Sequence, residues 1–377
     1  MTPSHEKALR RRRALRMSIA SAILFLLSCA IYLLARFAPG LMFPWYQDLS
    51  ATLLGLWSHL TDLFPFSLLE WGILGAVWLV LGWVIRLIVS RKSPILLFST
   101  AVNVSAVLVF LFVALWGADQ FAPTFLSTTP YQEHSYTVEQ AEAAADYLLQ
   151  MANYWSGEVP SDSSGVSDFG SFSDMESGLE SGYRWLEDTY GSRFAIGNVT
   201  AKPMTFSYLM DCIGLTGIYT AYTGEMNINA DTPDQSLPYV MSHECAHRTT
   251  VTQENDANFV AFLACIHSDL AIYQYSGWYS AFIYVYNAIS KVDKDAQSRL
   301  WSAMNDRVKA DVLAANAHYA AFSTGTRGRV KKAAENLNSS YLKTFNQSDG
   351  INNYGAVAGS IIAWYWLEVA GSGQSAG

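Results

Sequence analysis

His243-Glu244-Cys245-Ala246-His247 is the stretch on which the reading of this chain turns. On a helix, residues four apart lie one above the other, so the two imidazoles share a face. The Glu244 carboxylate sits beside the first of them. Imidazoles at this spacing suit zinc, and the adjacent carboxylate can take a proton from a water that the metal activates. Five residues make a short pattern, so the flanking sequence has to supply the helix. Ser236-Leu237-Pro238 precedes it, and proline suits a first helical turn. Tyr239, Val240 and Ala246 make the segment apolar enough for burial, with no Gly or internal Pro. Burying His, Glu and His together is costly unless something satisfies them, and a metal does. The competing reading is a solvated helix with two incidental histidines.

A site of this kind needs a third protein ligand. Downstream, Glu254-Asn255-Asp256-Ala257-Asn258-Phe259-Val260-Ala261-Phe262-Leu263-Ala264-Cys265 has apolar residues at helical spacing and predicts a second helix. Between the two, Thr249-Thr250-Val251-Thr252 is β-branched and suits a turn. The six residues between His247 and Glu254 are enough to reverse direction and bring Glu254 back to the metal. Asn258 lies one turn after Glu254 on the same face, where it can orient a histidine. Asp256 is the rival ligand, but it points about 200° away around the helix, so Glu254 is preferred.

HExxH followed by a helix bearing ExxAN resembles the gluzincin group of metallopeptidases, whose third ligand is a glutamate on the second helix. Many gluzincins have Asp where this chain has Asn258. The chain is also similar to a bacterial membrane family known as domain of unknown function 3810. The likeness is carried by three hydrophobic helices, then Thr223-Gly224-Glu225-Met226-Asn227-Ile228-Asn229, then Leu237-Pro238, the HExxH and Ala257-Asn258-Phe259. The stretch from Tyr341-Leu342-Lys343 to Gly350 and the pair Tyr354-Gly355 also resemble it, so the similarity runs over most of the chain. The resemblance implies a zinc metallopeptidase domain, with Zn2+ on His243, His247 and Glu254 and with Glu244 as general base.

Of the 377 residues, 51% are hydrophobic, and the excess is concentrated at the N-terminus. Residues 17–37, 71–89 and 95–116 carry at most one charge each, Arg36 in the first and Arg86 in the second. Each is long enough to cross a hydrocarbon core of about 30 Å as a helix. Lys7, Arg10, Arg11, Arg12, Arg13 and Arg16 precede the first run, and Arg86, Arg91 and Lys92 cluster before the third. The connection from 38 to 65 has no Lys or Arg. Basic residues stay in the cytoplasm, so the N-terminus is expected inside a cell membrane crossed three times, with everything after Trp116 outside. A signal peptide ending near Leu26-Leu27-Ser28-Cys29 is the competing reading of the first run, but Ile31-Tyr32-Leu33-Leu34 carries it further. Leu49, Leu53, Leu56, Trp57, Leu60 and Phe64 form one helical stripe, which predicts an interfacial helix over about 47–64 lying on the lipid bilayer.

The expected division is therefore 1–117 as membrane anchor and 118–377 as an extracytoplasmic domain. From Ala118 onward there are 14 Lys plus Arg and 28 Asp plus Glu, a net of −14, which disfavours nucleic acid as a partner. Four cysteines do not make a disulfide scaffold. Thr137-Val138-Glu139-Gln140 matches a capping box and predicts a helix to about 154. Further helices are expected over 175–190, 278–290, 295–322, 327–345 and 354–369. Strands are expected over 196–206 and 217–229. The fold class is then α-rich α+β, with a small β-sheet. In metallopeptidases of the resembled type, an edge strand just before the zinc helix binds the substrate backbone, and 217–229 is in the right order. Glu225 reads equally as a substrate contact or a turn carboxylate, and Tyr354 is a weak candidate for supporting an oxyanion. His267 reads as packed. The expected activity is zinc-dependent hydrolysis of a peptide or protein substrate, and the alternative is an inactive binding or sensor module with the same fold.

Overall fold

The computed structural model describes residues 3–90, 95–132, 136–197, 199–344 and 354–371. The chain divides into two compact units. Unit 1 comprises Met1–Thr61, Ser67–Ala122 and Ala221–Gly224; unit 2 comprises Asp62–Phe66, Pro123–Thr220 and Glu225–Gly377. The first boundary thus falls at Ala122, beyond the expected 117, and each unit borrows a short segment from the other's stretch of sequence.

Unit 1 is built from α1 (Pro3–Phe37), α2 (Pro39–Thr61), α3 (Leu68–Ser90) and α4 (Ile95–Phe112), the last continuing through a wider π turn at Val113–Gly117. Three stretches are long and apolar enough to cross a membrane: Arg11–Phe37, Leu68–Arg86 and Phe98–Phe121. Helices suit that role because every backbone polar group is satisfied within the segment. Leu26, Trp78 and Leu79 are 70%, 73% and 75% exposed, an outward apolar surface that water would not tolerate and acyl chains would cover. Between α1 and α4, Asn103 Nδ2 donates to Met17 O at 3.3 Å and to Ser21 Oγ at 3.2 Å. Such hydrogen bonds hold helices together where burial provides no drive. Helix α2 starts earlier than the expected 47 because Pro39 is accommodated in a first turn. Its stripe of Leu49, Leu53, Leu56, Trp57 and Leu60 is exposed throughout. The other face packs with Ala35, Ala118 and Ala122 through Met42, Phe43 and Tyr46. Trp57 Nε1 donates to Tyr222 O at 2.9 Å, and Ser58 Oγ to Gly224 O at 2.9 Å.

Unit 2 opens with α5 (Val138–Glu158), whose Thr137 and Gln140 form both halves of the capping box. The single helix expected over 175–190 is two, α6 (Phe172–Glu176) and α7 (Leu179–Tyr190), because Ser171 caps the first and Gly178 interrupts. Then come β1 (Ala201–Pro203), α8 (Ser207–Ile213), β2 (Gly217–Thr220) and β3 (Glu225–Ile228). The strand expected over 196–206 shrinks to three residues, and the one expected over 217–229 is a hairpin that reverses at Ala221–Gly224. The sheet order is β1-β3-β2, with β1 parallel and β2 antiparallel to the central β3. Helices α9 (Leu237–Arg248), α10 (Glu254–Ile266), α11 (Ala271–Ile289), α12 (Lys294–Ala303), α13 (Asp306–Ala321), α14 (Gly325–Thr344) and α15 (Tyr354–Trp364) follow. The break inside the expected 295–322 helix falls at Asn305, whose side chain accepts from Val308 N and caps α13.

Helix α10 is the centre of unit 2. Phe259 to Cys265 are each at most 1% exposed, and a helix apolar on every side belongs in a core. Phe262 meets Trp364 and Trp278 edge-on, at 5.0 and 5.8 Å between ring centroids. Helices α7 and α11 approach α10 at glycines. A Cβ on Gly182 would overlap the Ala264 carbonyl, and one on Gly277 would overlap the Cys265 Cβ. Tyr183 Oη donates to Ser242 O at 2.6 Å and ties α7 to α9 as well.

Candidate metal centre

Helix α9 carries the HExxH segment and α10 begins at Glu254, so the turn between them decides whether three ligands can meet. That turn is tight. Thr250 has φ +62°, a left-handed conformation that a β-branched residue rarely adopts. Arg193 holds it there, donating from Nε to Thr249 O at 3.2 Å and from Nη2 to Thr250 O at 3.0 Å. The result brings Val251 O to 2.7 Å from His247 Nδ1. A carbonyl only accepts, so Nδ1 carries the hydrogen and Nε2 keeps its lone pair. This is the arrangement that aims an imidazole at a metal.

The ligand atoms converge. His243 Nε2 lies 3.3 Å from Glu254 Oε2, and His247 Nε2 lies 3.7 Å from Glu254 Oε1. One ligand atom from each of the three residues falls within 4.8 Å of the others, and theirs is the cluster of this kind among the described residues. The two rings stand at 84° with centroids 4.7 Å apart. Two imidazoles and one carboxylate fit zinc with a position left open. Asp256 does not join them. It is buried and accepts the Leu126 N–H at 3.2 Å, and burial pushes its pKa up to about 6.

The electrostatics suit a cation. Burial opposes ionisation of Glu254, but the hydrogen bond with His243 and the electrostatic pull of the neighbouring imidazoles bring its pKa down to about 2. Burial pushes His247 down to about 4, against the pull of Glu254, and leaves the ring neutral. For His243, burial is outweighed by hydrogen bonding and charge from Glu254, and its pKa is raised. Glu244 is pushed up to about 7, chiefly by burial, with His243 partly offsetting this. Glu244 Oε2 is buried without a hydrogen-bond partner, an orphan acceptor beside the ligand cluster.

Asn258 sits where the sequence places it, one turn along α10. Its Nδ2 donates to Glu254 O at 2.8 Å, and its Oδ1 accepts from Tyr284 Oη at 3.0 Å. Its amide also helps raise the His243 pKa, although His243 Nδ1 is buried without a well-formed hydrogen bond. Removing Asn258 would take away its interaction with the His243 ring. Asn258→Ala is expected to weaken zinc affinity by about 10–100-fold, read by competition with a chromophoric chelator.

Residues 45–362 match the family described as "Protein of unknown function (DUF3810)". The chain belongs to that family. No curated protein and no solved structure matches it. The rest of this DUF3810 site holds residues that the sequence did not reveal. Arg193 and Tyr284 lie far along the chain from HExxH, and no local spacing links them to it. Arg248, next to His247, is buried and pairs with Asp62 at 2.7 Å. Glu225 is fully buried and ion-paired with Lys202 across β1 and β3. Tyr354 opens α15, but its side chain lies outside the described residues. His267 stacks on Trp185 at 3.4 Å and is packed. All four cysteines are free thiols.

Proposed function

We propose that this chain is a membrane-anchored zinc metallopeptidase that hydrolyses peptide bonds of extracytoplasmic proteins or peptides. One observation carries the reading: His243 Nε2, His247 Nε2 and the Glu254 carboxylate converge while the Glu244 carboxylate, with a free buried oxygen, lies beside them. A zinc ion bound there would polarise a peptide carbonyl and acidify a water. Glu244 takes the proton from the attacking water and delivers it to the leaving amine. In the metal-free site burial raises its pKa to about 7, which leaves a carboxylate able to hold a proton as well as to take one. Apart from the Tyr219 N–H that Glu244 takes, the outer edge of β2 offers main-chain groups to an extended substrate. The six basic residues ahead of the first apolar run favour a cytoplasmic N-terminus and a domain outside.

The test uses the full chain purified in detergent. Metal analysis is expected to give about one zinc per chain, and the holoprotein is expected to cleave denatured casein. Chelation should stop cleavage and added zinc restore it. Zinc without cleavage of casein or of an unbiased peptide library would favour an inactive binding module, and a chain that takes up no zinc would overturn the reading.

A further inference from the structure

Strand β2 and the Glu244 carboxylate are fitted into each other. Asn229 N donates to Thr216 O at 2.9 Å, and the register continues with Ile218 opposite Asn227 and Thr220 opposite Glu225. In an antiparallel pair, hydrogen-bonded and non-bonded positions alternate. Gly217 and Tyr219 therefore direct their N–H and C=O groups away from β3, along the free edge. The Tyr219 N–H donates to the Glu244 carboxylate. Gly217 has no side chain to stand in its way. A Cβ built there would lie 2.5 Å from Glu244 Oε1, 2.8 Å from Cγ and 2.9 Å from Cδ. Its φ is not in the left-handed region, so the backbone itself does not call for glycine. What calls for it is Glu244.

We propose that Gly217 is a positioning residue for Glu244. The missing Cβ is the notch in which the carboxylate rests, and the Tyr219 N–H closes that notch from the strand side. The carboxylate, the strand edge and the ligand pair then form one rigid arrangement. Its catalytic meaning rests on the peptidase reading, whereas the positioning itself does not.

A double-mutant cycle on the full chain in detergent tests it without a substrate. Gly217→Ala alone is expected to lower the melting temperature by about 3–5 °C, through overpacking against Glu244. In the Glu244→Ala background the colliding atoms are gone, and the same substitution should be neutral or slightly stabilising, because alanine orders more cheaply than glycine in a strand. If Gly217→Ala fails to fold while the double variant folds, the proposal is also supported. Equal shifts in both backgrounds would overturn it. Zinc content should stay near one per chain in Gly217→Ala, while kcat on denatured casein falls tenfold or more with KM little changed. Unchanged kcat in the presence of the thermal coupling would also sink the positioning role. If the wild type cleaves nothing, the thermal cycle still decides the proposal, and the failure belongs to the peptidase reading.

Discussion

Glu244→Gln is expected to abolish hydrolysis and to leave zinc in place. The amide is nearly isosteric, and its oxygen can still accept the Tyr219 N–H. It fits the same notch beside Gly217. What it loses is the ability to take a proton, and a positioned general base contributes about 10²–10⁴-fold. The expected result is a fall in kcat of about a thousandfold on denatured casein, with one zinc per chain retained. Retained activity would end the proposed mechanism even if zinc binds. A second readout follows from linkage. The folded-state pKa of Glu244, about 7, lies above the ordinary carboxylate value of 4.5. Its contribution to stability is therefore full below about 4.5 and is lost as pH rises through 7. In the zinc-free protein, the melting temperature of the Gln variant should gain on that of the wild type across that window.

Zinc binding itself should collapse when any of the three ligands is removed. A four-ligand zinc site is worth about 10–16 kcal/mol, so each ligand carries about 3 kcal/mol, a hundredfold or more in affinity. His243→Ala, His247→Ala and Glu254→Gln are each expected to lose at least that much. Asp256→Asn is the control: its carboxylate is engaged with the Leu126 N–H, and its replacement should leave zinc affinity within a few-fold of wild type. The reverse pattern would move the third ligand to Asp256. The pH dependence separates the two histidines. His247, with a pKa near 4, is already neutral and releases no proton when metal binds. His243 has a raised pKa and must give one up. Affinity should therefore rise with pH, about tenfold per unit below the His243 pKa, with a slope of one proton rather than two.

The convergence of His243, His247 and Glu254 was legible because its geometry is local. His243 and His247 are one turn apart, and Glu254 opens the next helix, so spacing alone brings them close. Asn258 followed from the same four-residue rule. The helix breaks at Gly178 and Asn305 were missed because apolar spacing runs through both, and only cap chemistry marks them. The hairpin was missed because 217–229 is rich in β-branched and aromatic residues on both arms, which hid the Thr223-Gly224 turn. Glu225 read as either a substrate contact or a turn carboxylate because its partner, Lys202, is on another strand. Arg193 and Tyr284 reach the site across long stretches of chain, and nothing in the local pattern of either announces it.

Gly182 seats α7 directly on the backbone of α10 at Ala264, and Gly277 seats α11 against the Cys265 Cβ and the Ile266 side chain. Backbones packed that closely do not slide by degrees; they hold or they separate. Glu254, at the head of α10, cannot be drawn back from the two histidines by a small shift of its helix.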